Sequence, residues 1–236
     1  MPAMDLATVN EIVDASEHLP NGASLVVHQL DWDDYERVLE GLAARRSLRI
    51  DYDSGRLEIV SPRSRHGRYD GLIRDLVLVY CDFFKLNFEG FTTVTWKRKS
   101  LLKGVEPDGS FYIRTVKRIV GKDKDIDLES DPPPDLVVEV DITSRSLRKL
   151  PIYAALGIPE VWRYDGQTCR FYTLTEGRYV EAEVSPSLPG LTGKMLADAI
   201  DVSKTHGQSA ARKAFRRTLR ALKKDSPINA SRSPGR

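Results

Sequence analysis

The chain has no stretch approaching the roughly 20 consecutive apolar residues that span a bilayer. Its opening segment, Met1 to Asp14, is broken by Asp5, Asn10, Glu11 and Asp14, which argues against a secretory leader. Cysteine is nearly absent. Cys81 and Cys169 are the two in 236 residues, and they show neither metal-type spacing nor a disulfide framework. Both are expected as buried free thiols in a cytoplasmic protein. Histidine is scarce too, and His18, His28 and His206 share no ligand spacing, so no histidine-based metal cage is expected. No internal repeat interrupts the chain.

Apolar residues make up 41% and charged residues 30%, a balance that supports a packed core and argues against wholesale disorder. The net charge of +2 conceals an asymmetry. From Lys204 to the end there are ten Lys or Arg against Asp225 alone, so this segment carries +9 and leaves −7 on residues 1–203. A basic tail (204–236) therefore follows an acidic body (31–203), with an N-terminal extension (1–30) ahead of it.

Asp31 is placed to cap a helix in which Trp32, Tyr35, Val38, Leu39 and Leu42 recur at helical spacing. Leu48, Ile50 and Tyr52, the turn Asp53-Ser54-Gly55, then Leu57 and Ile59 predict a β-hairpin. From His66 to Phe84, apolar residues three and four apart predict a long helix lying across a sheet. Thr92 to Lys99 and Ser110 to Ile113 are β-prone. The Lys97-Arg98-Lys99 run is read either as a phosphate-tracking patch or as a solvated strand end.

After Pro132-Pro133-Pro134, the segment Leu136 to Ile142 has the pattern of a strand covered on both faces. A short helix over Leu150–Leu156 and strands over Glu160–Tyr164, Cys169–Leu174 and Tyr179–Val184 follow. Gln208 to Lys224 predicts a basic amphipathic helix with Ala211, Phe215, Leu219 and Leu222 on one stripe, read either as holding nucleic acid non-specifically or as a charged tail that packs its apolar stripe, and Ser226 to Arg236 is expected to be disordered.

Two acidic residues inside the apolar run carry the chemical interest. Glu139 and Asp141 are two apart on a strand and so share a face, and burying two carboxylates side by side is costly unless a cation or hydrogen bonds compensate. Asp108, after Pro107, adds a third. Hard oxygen donors suit Mg²⁺, with Mn²⁺ as a substitute, and a cation that keeps waters and meets phosphate oxygens points to a phosphodiester. Lys149 is placed to add positive charge there. The plainer readings are a turn acid for Asp108, and solvation on an edge strand or ion pairs to Arg145 and Arg148 for Glu139 and Asp141.

The run Asp135-Leu136-Val137-Val138-Glu139-Val140-Asp141, then Thr143, Lys149, Tyr153, Gly157-Ile158-Pro159-Glu160-Val161-Trp162 and Asp165, resembles the Uma-type family of restriction-endonuclease-like proteins. Upstream, Gly55 to Pro62, His66 and Glu106-Pro107-Asp108 extend that resemblance over about residues 45–190. It implies the α/β fold of the PD-(D/E)XK nucleases, with a mixed central β-sheet flanked by helices, and Mg²⁺-dependent cleavage of nucleic acid, DNA foremost.

Carried over by the resemblance, Pro107-Asp108 is the PD element and Glu139 the second acidic position. Asp108 and Glu139 then become the principal metal ligands, joined by the Val140 carbonyl. Glu58 and His66 are auxiliary candidates. This sequence departs from the pattern at Asp141, where the superfamily has lysine. Lys149 is read as the relocated lysine, and Asp141 as a ligand or water-orienting base. A homodimer is compatible with an enzyme that cuts two strands. The rival reading is a catalytically silent nucleic-acid-binding module on the same scaffold.

Overall fold

The computed structural model describes residues 6–43, 48–62, 64–122, 125–142 and 146–225, without the side chains of 64–66, 146 and 225. The expectation of disorder beyond Ser226 lies outside them. Two sheets meet along the middle of the chain. The first has five strands in the order β1-β3-β2-β6-β5, built from β1 (Ser24–Val27), β2 (Arg49–Asp53), β3 (Arg56–Val60), β5 (Trp96–Arg98) and β6 (Lys103–Val105). Every pairing in it is antiparallel. Helices α1 (Leu6–Glu17) and α2 (Trp32–Leu42) pack with it through Val9, Ile12, Tyr35, Val38, Ile50, Tyr52, Leu57 and Ile59. Asp31 caps α2 as its sequence requires, accepting the Asp34 N–H at 2.8 Å.

The second sheet has six strands in the order β11-β10-β9-β8-β7-β4, comprising β4 (Glu89–Phe91), β7 (Gly109–Tyr112), β8 (Leu136–Val140), β9 (Glu160–Tyr164), β10 (Cys169–Thr175) and β11 (Arg178–Ala182). It is mixed, because β8 and β9 run parallel across a crossover containing α4 (Leu150–Ala155). Gly157, with φ 74°, ends that crossover helix in the left-handed region. Leu136, Val138 and Val140 point under α3 (Ser64–Phe84) and α5 (Gly193–Asp225), into a core with Leu72, Ile73, Leu76 and Phe215. On the opposite face Val137 and Val161 pack with Ile152 and Tyr153 of α4. A mixed sheet with helices on both faces is the architecture expected from the resemblance.

The expected hairpin forms as β2 and β3 and belongs to the antiparallel sheet. One expectation is revised. The strand expected over Thr92 to Lys99 begins only at Trp96, because Thr93 adopts φ 57° and interrupts extended backbone before it. The basic amphipathic helix expected over Gln208 to Lys224 forms, set off by a break at Gly207 (φ 80°, ψ 168°) from a helical segment that begins at Gly193, and its Ala211, Phe215 and Leu219 are fully buried as expected. Both cysteines are buried and free, as expected.

Since Phe215 lies in the core shared with α3, Phe215→Ala should lower the free energy of unfolding by about 3–5 kcal/mol. Urea unfolding followed by circular dichroism checks this, and a loss below about 1 kcal/mol would mean that the helix beyond Gly207 does not belong to the core.

Candidate active site

The seam between the two sheets is where the acidic residues meet. Strand β6 ends at Val105 in the antiparallel sheet, β7 starts at Gly109 in the mixed sheet, and Glu106-Pro107-Asp108 is the connection. Pro107 stiffens this link by fixing its own φ. Trp96 also spans the seam, its Nε1 donating to Ser110 Oγ at 3.0 Å.

Asp108 is buried. Its Oδ2 accepts the Val140 backbone N–H at 2.8 Å and its Oδ1 accepts from Arg49 Nε of β2 at 3.2 Å. Glu139, on β8, is buried on the α4 face. It accepts hydrogen bonds from the Tyr153 hydroxyl and, at 3.2 and 3.4 Å, from Lys149 Nζ. Lys149 immediately precedes α4, so the crossover that makes β8 and β9 parallel also carries the ammonium back over Glu139. Its Nζ further donates to the Glu106 carbonyl at 3.0 Å and lies 3.6 Å from Asp51 Oδ1 on β2.

Burial dominates the electrostatics of these carboxyls. Burial pushes the Glu139 carboxyl up to about 8, with Lys149 pulling it down and Asp108 pushing it further up. Burial likewise raises Asp51 to about 6 against the pull of Lys149. Burial opposes the charge on Lys149, but Asp51, Glu139 and Asp108 outweigh it and hold the amine protonated. Asp70, half-buried on α3, is raised to about 7 by burial and by Asp108, against Arg49 and Arg74.

Of the residues singled out by sequence, Asp108, Val140, Glu139 and Lys149 are linked through direct contacts. Asp141 shares the face of Glu139 but is bound by Arg163 of β9, at 2.9 Å from its Nε. Glu58 stands across from Asp51 in the β2–β3 register and is paired with Arg56 at 2.7 Å. His66 is in the first turn of α3, and its side chain lies outside the described residues. Arg145 lies outside them as well.

Asp51, Asp70 and Arg49 were missed. Asp51 is flanked by Ile50 and Tyr52, and all three are buried, the same signature that singles out Glu139. Asp70 is three residues before Ile73, on the flank of the apolar stripe of α3. Not every buried acid belongs to the site. Asp135 is taken up by the Ile113 and Thr115 backbone N–H groups, and Glu160 by Trp162 Nε1–H and the Ser187 N–H.

Among the described residues no three His, Cys, Asp or Glu side chains form a ready-made metal cage. The donors nonetheless fit a hard cation such as Mg²⁺, which needs only one or two carboxylates and otherwise keeps its waters. The carboxylate oxygens of Asp108 and Glu139 are hard donors, and the raised values of Glu139 and Asp51 mark carboxyls whose ionisation is opposed by burial, a cost that a bound cation would offset.

Residues 32–202 match the family model Uma2, described as "Putative restriction endonuclease". Among curated proteins no match is found.

Asp70 generates a prediction independent of metal. Its carboxyl titrates near 7 in the fold and near ~4 in an unfolded chain, so between about pH 4 and 7 the native state binds a proton that the unfolded state releases. Stability therefore falls as pH rises through that window. Asp70→Asn, compared with wild type by urea unfolding in EDTA across it, should flatten this fall. An unaltered slope would show that Asp70 does not hold the proton.

Proposed function

Because the chain belongs to the Uma2 family, we propose that it is a Mg²⁺-dependent endonuclease hydrolysing phosphodiester bonds in nucleic acid, with DNA as the substrate. The observation that carries this reading is the convergence of Asp108, Glu139 and Lys149 at the seam, with the lysine from beyond the strand filling the role that Asp141 cannot take. Asp108 and Glu139 would hold the cation, with the Val140 carbonyl as a further donor. The bound cation would lower the pKa of water and offset charge on the phosphate oxygens.

The chain's own residues supply the rest. Hydrolysis adds the water oxygen to phosphorus, breaks the bond to the leaving oxygen and gives that oxygen a proton. The Lys149 ammonium supplies fixed positive charge where the phosphate gains negative charge, already desolvated and oriented by Asp51 and the Glu106 carbonyl. Tyr153 holds Glu139 in place through its hydroxyl. Arg49 orients Asp108. Asp141, engaged by Arg163, is assigned to ordering the end of β8 rather than to the cation.

One observation favours the silent-module reading. Glu139 and Asp108 each already accept hydrogen bonds from at least two protein groups. The two readings part on chemistry. With supercoiled plasmid and Mg²⁺ or Mn²⁺, wild type should nick the substrate and EDTA should stop it. Asp108→Asn and Glu139→Gln should abolish cutting, and Lys149→Met should slow it about 100-fold, each with its circular dichroism spectrum retained. Cutting that persists in the two carboxylate variants would refute the assignment. A wild type that binds DNA and never cuts it would support the silent module.

A further inference from the structure

The strongest unassigned feature is the outward face of α5 beyond Gly207. At 3.6 residues per turn, Lys213, Arg216, Arg217, Arg220 and Lys224 fall within an arc of about 100° on the side of the helix away from Ala211, Phe215 and Leu219. All five cations are exposed, and none has an ion pair or hydrogen bond among the described residues. Between Asp201 and Asp225 the chain has no acidic residue.

Several other cations are paired. In the Lys97-Arg98-Lys99 run, a candidate phosphate track by sequence, Lys97 and Lys99 are met by acids of α2, Lys97 by Glu36 and Lys99 by Asp33 at 2.9 Å. Lys103 meets Asp53, and Lys194 meets Asp198 at 2.6 Å. On α5, Lys213 and Arg217, Arg216 and Arg220, and Arg220 and Lys224 stand four residues apart, like-charge spacings that each destabilise a helix by a few tenths of a kcal/mol. The helix carries this repulsion although residues 1–203 bear a net −7.

Resting on the nucleic-acid reading above, we infer that this face of α5 is a sequence-independent docking strip for a nucleic-acid phosphate backbone. Charge and spacing fit the partner. Lys213 to Lys224 spans about 16 Å of helix, room for about five phosphates at the ~3.4 Å rise of one strand. A membrane surface fits poorly, because an interfacial helix needs a free apolar face and this one is committed to the core.

The strip is also tied to the candidate active site through α3. Gln208 donates to the Arg68 carbonyl at 3.4 Å, and Arg212 pairs with Asp75 at 3.0 Å. Asp70, between these contacts on α3, is the carboxylate next to Asp108 and Gly109. The strip thus begins beside the α3 turn nearest the carboxylates and runs away from them along the helix, suited to holding the duplex outside the bond being cut.

The test is the salt dependence of binding by the full chain, with a fluorescent 20-base-pair duplex in EDTA. The variant K213Q/R216Q/R217Q/R220Q should bind about tenfold to a hundredfold more weakly at ~0.1 M salt, and the slope of log affinity against log salt should shrink by about 3. Its melting temperature should be no lower than that of wild type, since like-charge repulsion is removed, and R216K/R217K/R220K should retain binding. Unchanged affinity and slope in the fourfold variant would overturn the inference. So would strip-dependent binding to phosphatidylserine vesicles without binding to the duplex. Plasmid cutting, measured in parallel, separates the two claims. Strip-dependent binding by an inert wild type would leave the strip standing and the nuclease reading refuted. Metal-dependent cutting with unaltered binding in the variant would do the reverse.

Discussion

A buried ammonium needs acceptors, and the need of Lys149 for them ties the two sheets together. Its Nζ is shared among Glu139 of the mixed sheet, Asp51 of the antiparallel sheet and the carbonyl of Glu106 on the link between them. Removing one partner of such a buried pair typically costs about 3–5 kcal/mol, because the remaining charge stays desolvated. The same contacts fix where α4 begins, how β8 reaches β9, and how closely β2 approaches the link. Asp108 is locked within this frame by the Val140 N–H and Arg49. The acids of the site and the geometry of the seam are therefore one arrangement.

Charge is distributed in the opposite sense over the rest of the molecule. Several buried carboxylates gather at the seam, and a group of five unpaired cations among the described residues lies on the outer side of a helix whose inner side is core. Helix α3 touches both regions, with Asp70 near Asp108 and Asp75 near Arg212. On the proposed function, a polyanion held on the cationic helix would reach the seam, where a divalent ion would offset repulsion between phosphate and carboxylate. Held separately, the two charge groups avoid cancelling each other.

The sequence made the mixed sheet and half of the site legible, and physical reasons account for the rest. Glu139 stood out because a carboxylate in a valine run is costly to bury, and Lys149 because a cation was missing at Asp141. Asp51 carries the same signature, yet Ile50-Asp51-Tyr52 reads as simple alternation until β3 and β6 flank the strand and all three residues are buried. The antiparallel sheet escaped notice because β1 and β6 are only four and three residues long and pair with distant segments. Its packing is non-local, so periodicity within a short window does not register it. The C-terminal helix was legible as amphipathic, but its apolar stripe does not say which surface covers it. That surface is α3 and the sheet beneath it.

The central claim is that the seam is built to accept a divalent cation between Asp108 and Glu139. Isothermal titration of the full chain with Mn²⁺ in the absence of nucleic acid tests it most directly. Wild type should show a single site that is lost in Glu139→Gln, with the folded spectrum intact. A wild type that takes up no cation, or a variant that binds it as well as wild type, would contradict the account.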